Sequence, residues 1–231
     1  MATLTVFPAS GAAEPVDGRA GSSGGNDTFA NIRAAAGTGA SATDATTTGF
    51  EIATSTTSPN YSNVFRNFWL FDTSALGGGS TITAATLSIW VVDTTTWNGL
   101  GGANSANSVF VLVSSTPASN DNLVNADKSQ VGTTDFGRSA QQDTLTAGAY
   151  NDITLNANGL TNISKTGISK FGGVFGFDFD NTTTGLTWAS GVFQAVSTAF
   201  ADTAGTTNDP KLVITYTPAS VSGTMPLLGI G

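Results

Sequence analysis

The sequence predicts an all-β fold: a jelly-roll-like antiparallel β-sandwich in a single domain with long polar loops. Short runs of β-branched and aromatic residues recur along the whole chain, separated by clusters of Gly, Asn, Asp and Thr. Only 10% of the residues are charged, and Thr, Ser, Asn and Gly take their place. Thr suits a pleated surface better than a helix. With 231 residues, 39% of them hydrophobic, the chain is long enough to bury the core of one sandwich domain.

Individual strands are predicted from apolar runs and from period-two alternation. The aromatic run at 66–71 predicts a buried strand, and Leu87, Ile89 and Val91 alternate with their neighbours within a long strand at 81–92. The other predicted strands lie at about 3–7, 109–113, 150–155, 171–179, 192–200 and 211–217. Helical turns are predicted at 120–125 and 158–163. Eight to ten strands therefore form one domain over 1–218, followed by an extended apolar arm at 219–231.

Charge and missing residue types exclude several classes of function. The net charge of −8 would repel a phosphate backbone and anionic lipid, so neither nucleic acid nor a membrane surface is an expected partner. The chain has no Cys and no His, which removes disulfides, thiolate chemistry, the commonest general base and the usual zinc ligand. We therefore expect a protein that is not an enzyme and that needs no cofactor. No run of apolar residues is long enough for a transmembrane helix, and no signal peptide is visible at the N-terminus.

Five segments in order resemble the DNRLRE-type domains, a group of β-sandwich modules. They are 71–76 (FDTSAL), 80–87 (STITAATL), 150–156 (YNDITLN), 167–172 (GISKFG) and 208–216 (NDPKLVITY). The resemblance covers most of 25–218 and implies a jelly-roll-like sandwich without a catalytic set, found in bacterial surface and carbohydrate-active proteins and in phage proteins. The motif that names the group is not intact at 27–33, so the resemblance assigns no ligand site to this chain.

Two clusters of polar residues are candidate sites. Asp178, Asp180 and Asn181 follow each other in FDFDN, where a strand would place both carboxylates on one face. Such oxygens can bind Ca²⁺, or serve as the acid and base of glycoside hydrolysis, or simply form a solvated strand end. Arg66 begins the aromatic strand, and we expect it to form an ion pair with Asp72 or a loop carboxylate rather than to bind a ligand.

Aromatic and apolar residues outside the predicted core suggest binding surfaces. Trp97 lies in the polar loop between two strands, where it can stack on a sugar, contact a protein or pack back onto the sheet. Trp69 is expected in the core, Trp90 on the opposite face of its strand from Leu87 and Ile89, and Trp188 in packing. The arm carries apolar residues that can lie on a neighbouring subunit or add a strand to its open edge; the alternative is a flexible tail. They are Met225, Leu227, Leu228 and Ile230.

Three functions fit these observations. The first is a multi-copy structural protein of a virion surface, of the capsid decoration, cement or fibre type, with other copies or capsid proteins as partners. The second is a carbohydrate-binding module of a secreted protein, which would bind polysaccharide. The third is a subunit of an extracellular filament or surface layer, built from contacts that repeat without closing. All three place the protein on a virion or outside the cell.

Overall fold

Twelve strands and three short α-helices occur in the computed structural model, which describes residues 1–94, 98–202 and 205–220. The strands are β1 (Ala2–Val6), β2 (Asp17–Ser22), β3 (Gly39–Ser41), β4 (Thr46–Thr54), β5 (Tyr61–Asp72), β6 (Thr81–Asp93), β7 (Phe110–Ser114), β8 (Gly137–Arg138), β9 (Ala149–Thr154), β10 (Ile168–Phe175), β11 (Phe193–Ala199) and β12 (Lys211–Thr217). The helices are α1 (Phe29–Ala34), α2 (Ala157–Asn162) and α3 (Gly176–Phe179). Single 3₁₀ turns lie at Ser74–Leu76, Asn125–Ser129 and Gln142–Thr144.

Hydrogen bonds join these strands into one continuous antiparallel sheet. Its main order is β1-β12-β6-β11-β4-β5-β10-β7-β8, with β2 attached to β5, β3 attached to β2, and β9 attached to β6. Every strand pair among the described residues is antiparallel. The prediction of an all-β antiparallel sandwich is therefore confirmed.

The first of two forks in the sheet lies at β5, one of its two longest strands. β5 pairs with β4 over 61–65 and with β10 over 67–72, while β2 pairs with it over 64–69. Because β2 overlaps both of the other partners, β4 and β10 must follow one another along the opposite side of β5. The sheet therefore divides near Arg66, and β4 and β10 lead into different layers.

The second fork lies at β6. β9 pairs with β6 over 86–91, so the other side of β6 receives β12 over 81–88 and then β11 from Val91 to Asp93.

Contacts across the interior show that the forks produce two facing layers: the Phe50 ring of β4 stacks on the Phe110 ring of β7 at 3.8 Å. β4 and β7 are separated in the sheet by two other strands, so this contact runs across the sandwich.

The core between the layers is rich in aromatic side chains. Trp69 is fully buried and lies 5.8 Å from Phe50, ring centroid to ring centroid. Gly173 of β10 makes room for both rings, since a Cβ atom there would lie 2.5 Å from the Trp69 ring and 2.9 Å from the Phe50 ring. The predicted inward residues of β6 and Trp69 are all buried, so these predictions are confirmed.

Some predicted elements differ from those observed. The strand predicted at 171–179 ends at Phe175, and the chain continues as helix α3. The helical turn predicted at 120–125 is wrong, because the 3₁₀ turn begins only at Asn125. The Asp127 carboxylate accepts hydrogen bonds from the N–H groups of Ala118 and Val124, and so fixes the non-helical segment before that turn.

The elements that were not predicted from the sequence include β2, β4 and α1. β2 has the sequence DGRAGS, which contains neither an apolar run nor a period-two pattern. α1 is only six residues long, and its start depends on the Thr28 hydroxyl, which accepts a hydrogen bond from the N–H of Asn31. Among the described residues, no helix has the length and apolar character needed to span a membrane.

Candidate functional site

The outer edge of β1 is an open edge of the sheet. β1 pairs with β12 from Ala2 opposite Tyr216 to Val6 opposite Leu212, and no described strand pairs with its other side. Leu4 and Val6 pack against the core, whereas the side chains of Thr3 and Thr5 are exposed. The fold thus holds β1 firmly in place while leaving one row of its backbone N–H and C=O groups without a strand partner.

This edge lacks most of the features that prevent strands from pairing between molecules. Proteins protect open edges with charged side chains, Pro or bulges, and β1 (ATLTV) contains none of them. The segment that follows β12 begins three residues after Tyr216, which pairs with Ala2 of β1, and its first residue, Ala219, lies against Gly79 just before β6. The predicted arm residues Met225, Leu227, Leu228 and Ile230 lie outside the described residues.

A buried ion-pair network joins Arg66 of β5 to helices α1 and α3. Asp178 is 1% exposed and receives two hydrogen bonds from Arg66, from Nε to Oδ2 at 2.7 Å and from Nη2 to Oδ1 at 2.9 Å. Arg33 Nε lies 2.9 Å from the same Oδ1 and also donates to the backbone carbonyl of Asp178. Arg66 thus has the structural role that was predicted, but its partner is Asp178 and not Asp72.

Lys128 adds a third positive charge to this network. Its side chain is fully buried, and Nζ donates to the Ser22 hydroxyl and to the carbonyl groups of Ile32 and Ala35, at 2.7 to 2.8 Å. Burial, and then repulsion from Arg66, lower the pKa of Lys128 to about 8. The attraction of Asp178 offsets this only in part, so one carboxylate faces three buried or half-buried cations.

The predicted geometry of the Asp178, Asp180 and Asn181 cluster is wrong. These residues lie on α3 and just after it, not on a strand, so the two carboxylates do not share a face. Asp178 bonds to the two arginines, while the exposed Asp180 lies 3.3 Å from Arg138. Asn181 adopts a φ of 48° at the turn after the helix. No group of three or more acidic side chains among the described residues is placed to hold a metal ion, and calcium binding stays a prediction.

The tryptophans have mainly packing roles where the structure describes them. Trp90 is half-buried and meets the Tyr150 ring edge-on at 5.2 Å. Trp188 packs on the core, and its indole N–H donates to the carbonyl of Asn60 at 2.8 Å. Trp97, on which the prediction of sugar stacking rests, lies outside the described residues. Polysaccharide binding therefore stays a prediction.

A second cluster, which was not predicted from the sequence, consists of the carboxyl groups of Asp17, Asp202 and Asp209. Each has one buried oxygen without a hydrogen-bond partner among the described residues. Burial raises the pKa of Asp17 well above its usual range, and repulsion from Asp202 and Asp209 raises it further, although a hydrogen bond from the N–H of Ala201 acts against this. Burial also raises the pKa values of Asp202 and Asp209.

Asp17 is therefore predicted to make the protein less stable as the pH rises. The folded state favours the protonated carboxyl, so its stabilising contribution is full below the ordinary pKa of 3.8 and is lost as the pH passes the raised value. We expect Asp17→Asn, which stays neutral, to unfold at a higher temperature than the unchanged protein at about pH 8, with a difference that shrinks toward pH 4.

Thermal unfolding across this pH range measures the effect of Asp17→Asn. Asp143→Asn, on an exposed turn, is the control for loss of one negative charge, and we expect it to change stability by less than about 0.5 kcal/mol. A difference between Asp17→Asn and the unchanged protein that is the same at both ends of the range would contradict the assignment.

Comparisons with known proteins add no family to these observations. No family model matches the chain, and no curated protein matches it in sequence. The likeness to DNRLRE-type domains rests on the five segments quoted above.

Proposed function

We propose that this chain is a non-enzymatic structural protein that acts in many copies on the surface of a virion, as a capsid decoration, cement or fibre component. The observation that carries the proposal is the open, uncharged edge of β1. Strand addition at such an edge satisfies the free backbone groups of one subunit with those of another, and needs no catalytic chemistry. The occupant of the edge is a second copy of this chain, through its segment 219–231.

The composition of the two partners supports this pairing. Neither β1 nor the segment 219–231 contains a charged residue, so bringing them together removes no charge from water. In extended form, thirteen residues span roughly 40 Å, whereas the five residues of β1 span roughly 17 Å. The segment begins three residues after Tyr216, which pairs with Ala2 of β1 in its own molecule, and its extended length exceeds that of the β1 edge of a neighbour.

Surface composition fits a protein that works in a crowded array. Charged residues make up 10% of the chain, less than half of the usual share, and Thr, Ser, Asn and Gly take their place. Hydroxyl and amide groups can form hydrogen bonds with a neighbouring copy without the cost of removing a charge from water.

Deleting 219–231 is predicted to abolish self-association. We expect the intact chain to have a native mass that is a multiple of 23.3 kDa and the shortened chain to be a monomer with unchanged thermal stability, because the segment follows the last strand of the core. Native mass spectrometry or light scattering measures both. A monomer in both cases, or an oligomer that survives the deletion, would contradict the proposed contact.

A further inference from the structure

A cavity of about 240 Å³ opens beside the buried ion-pair network. α1 contributes Arg33, the 3₁₀ turn contributes Ser129, and α3 contributes Asp178 and Phe179. We propose that this cavity binds an oxyanion, that is, the phosphate, sulfate or carboxylate group of a small ligand. This site is independent of the β1 edge and of the proposed assembly.

The charges around the cavity favour an anion. Arg33, Arg66 and Lys128 are three of the eight basic residues of the chain, and Asp178 is the carboxylate that they share. The carboxylate of Asp127, the residue before Lys128, forms no ion pair with these cations among the described residues. Its two oxygens accept hydrogen bonds from the N–H groups of Ala118 and Val124. In a protein of net charge −8, an excess of positive charge at one cavity directs an anion there and not to the rest of the surface.

The hydrogen bonds show which of these cations can contact a ligand. Nζ of Lys128 donates to three protein groups, and Arg66 donates from Nε, Nη1 and Nη2 to Asp178, Lys128 and Arg33. Lys128 does not line the cavity, and Arg66, which does, already donates to protein groups from each of its three nitrogens, so both act on a ligand mainly through their charge.

Arg33 is the residue that can contact the anion directly. Its side chain is 30% exposed, lines the cavity, and bonds to the described residues through Nε. The terminal nitrogens thus remain for two parallel hydrogen bonds to an oxyanion, the geometry that guanidinium groups favour. The exposed hydroxyls of Ser129 and Thr133 line the same cavity and make no hydrogen bond to a described residue.

Lys128 is expected to respond to a bound anion. Burial, and then repulsion from Arg66 and to a smaller extent Arg33, lower the pKa of its ammonium group to about 8. An anion placed between Arg33 and the 3₁₀ turn would attract all three cations and so offset their mutual repulsion, and for this reason binding is expected to stabilise the folded state.

The test titrates the full chain with inorganic phosphate, sulfate and acetate at constant ionic strength, with chloride as the reference salt. We expect saturable binding at millimolar concentration or below by calorimetry, together with a rise in the unfolding temperature. Binding of phosphate and sulfate alone would identify a tetrahedral ligand group, and binding of acetate as well would identify a carboxylate. The absence of saturable binding for all three anions would overturn the proposal.

Two variants connect the binding to Arg33. Arg33→Gln is expected to weaken anion binding by about tenfold or more, and Arg33→Lys, which keeps the charge, by less. Arg19→Gln is the matched control, since Arg19 is also a partly exposed arginine beside an aspartate, 3.7 Å from Asp44, but does not line the cavity. If Arg33→Gln does not fold, Thr133→Val removes a cavity hydroxyl without touching the ion pairs. Equal losses in Arg33→Gln and Arg19→Gln, or no loss in Arg33→Lys and Thr133→Val, would contradict the site.

Discussion

Asp178→Ala is expected to lower the free energy of unfolding by about 3–5 kcal/mol, because it leaves buried cations without their counter-ion. Asp178 accepts two hydrogen bonds from Arg66 and contacts Arg33, and it is the carboxylate that offsets the repulsion at Lys128. Removing it leaves a guanidinium group and an ammonium group buried in a medium of low dielectric constant. Urea unfolding at neutral pH measures the change.

Asp180→Ala is the matched control for this prediction. Asp180 stands two positions later in the chain and also contacts an arginine, Arg138, at 3.3 Å, but both side chains are about one-third exposed. Solvent screens such pairs, and we expect a loss of less than about 1 kcal/mol. Similar losses in the two variants would mean that the buried network does not stabilise the fold more than a surface ion pair does.

Phe50→Ala is expected to destabilise the protein by about 3–5 kcal/mol, the usual effect of removing a fully buried aromatic ring. Phe50 stacks on Phe110 of the opposite layer and lies against Trp69, so its removal opens a cavity where the two layers meet. Neighbouring groups cannot easily fill this space, because Gly173 has no side chain to move into it.

Val92→Ala serves as the control on the same fold. Val92 lies in β6 but is 42% exposed, and its truncation is expected to change stability by less than about 0.5 kcal/mol. If Phe50→Ala also fell in this range, Phe50 would not join the two layers as the structure indicates. Thermal or urea unfolding of both variants decides between these outcomes.

The elements that could be predicted from sequence are those with a local signal. Leu87, Ile89 and Val91 repeat at period two, and the strand that contains them appears where it was predicted. β2 has no such signal, because it is held by pairing with the centre of β5 and not by apolar residues of its own. The division of the sheet at β5 also has no local signal, since it depends on which strands pair with each part of that strand.

The ion-pair network around Asp178 was only partly predictable, again because most of it has no local signal in the sequence. The sequence singled out Asp178, but its arginine partners lie 112 and 145 positions away along the chain. One usable signal was present: Arg66 stands just before a run of aromatic residues predicted to be buried, and a charged residue at a buried position requires a counter-ion. The identity of that counter-ion, and the approach of Lys128, are set by the packing of α1, α3 and the 3₁₀ turn around β5.

The native mass of an edge-blocked variant tests the central claim, that copies associate through β1. Thr3→Lys with Thr5→Lys places two charges on exposed positions of this strand, the means by which natural edge strands avoid pairing. Thr144→Lys with Thr146→Lys adds the same charges at exposed positions away from the edge. We predict an oligomer for the unchanged chain and for the second variant, and a monomer for the first. An edge variant that keeps the mass of the unchanged chain, or an unchanged chain that is monomeric, would contradict the account.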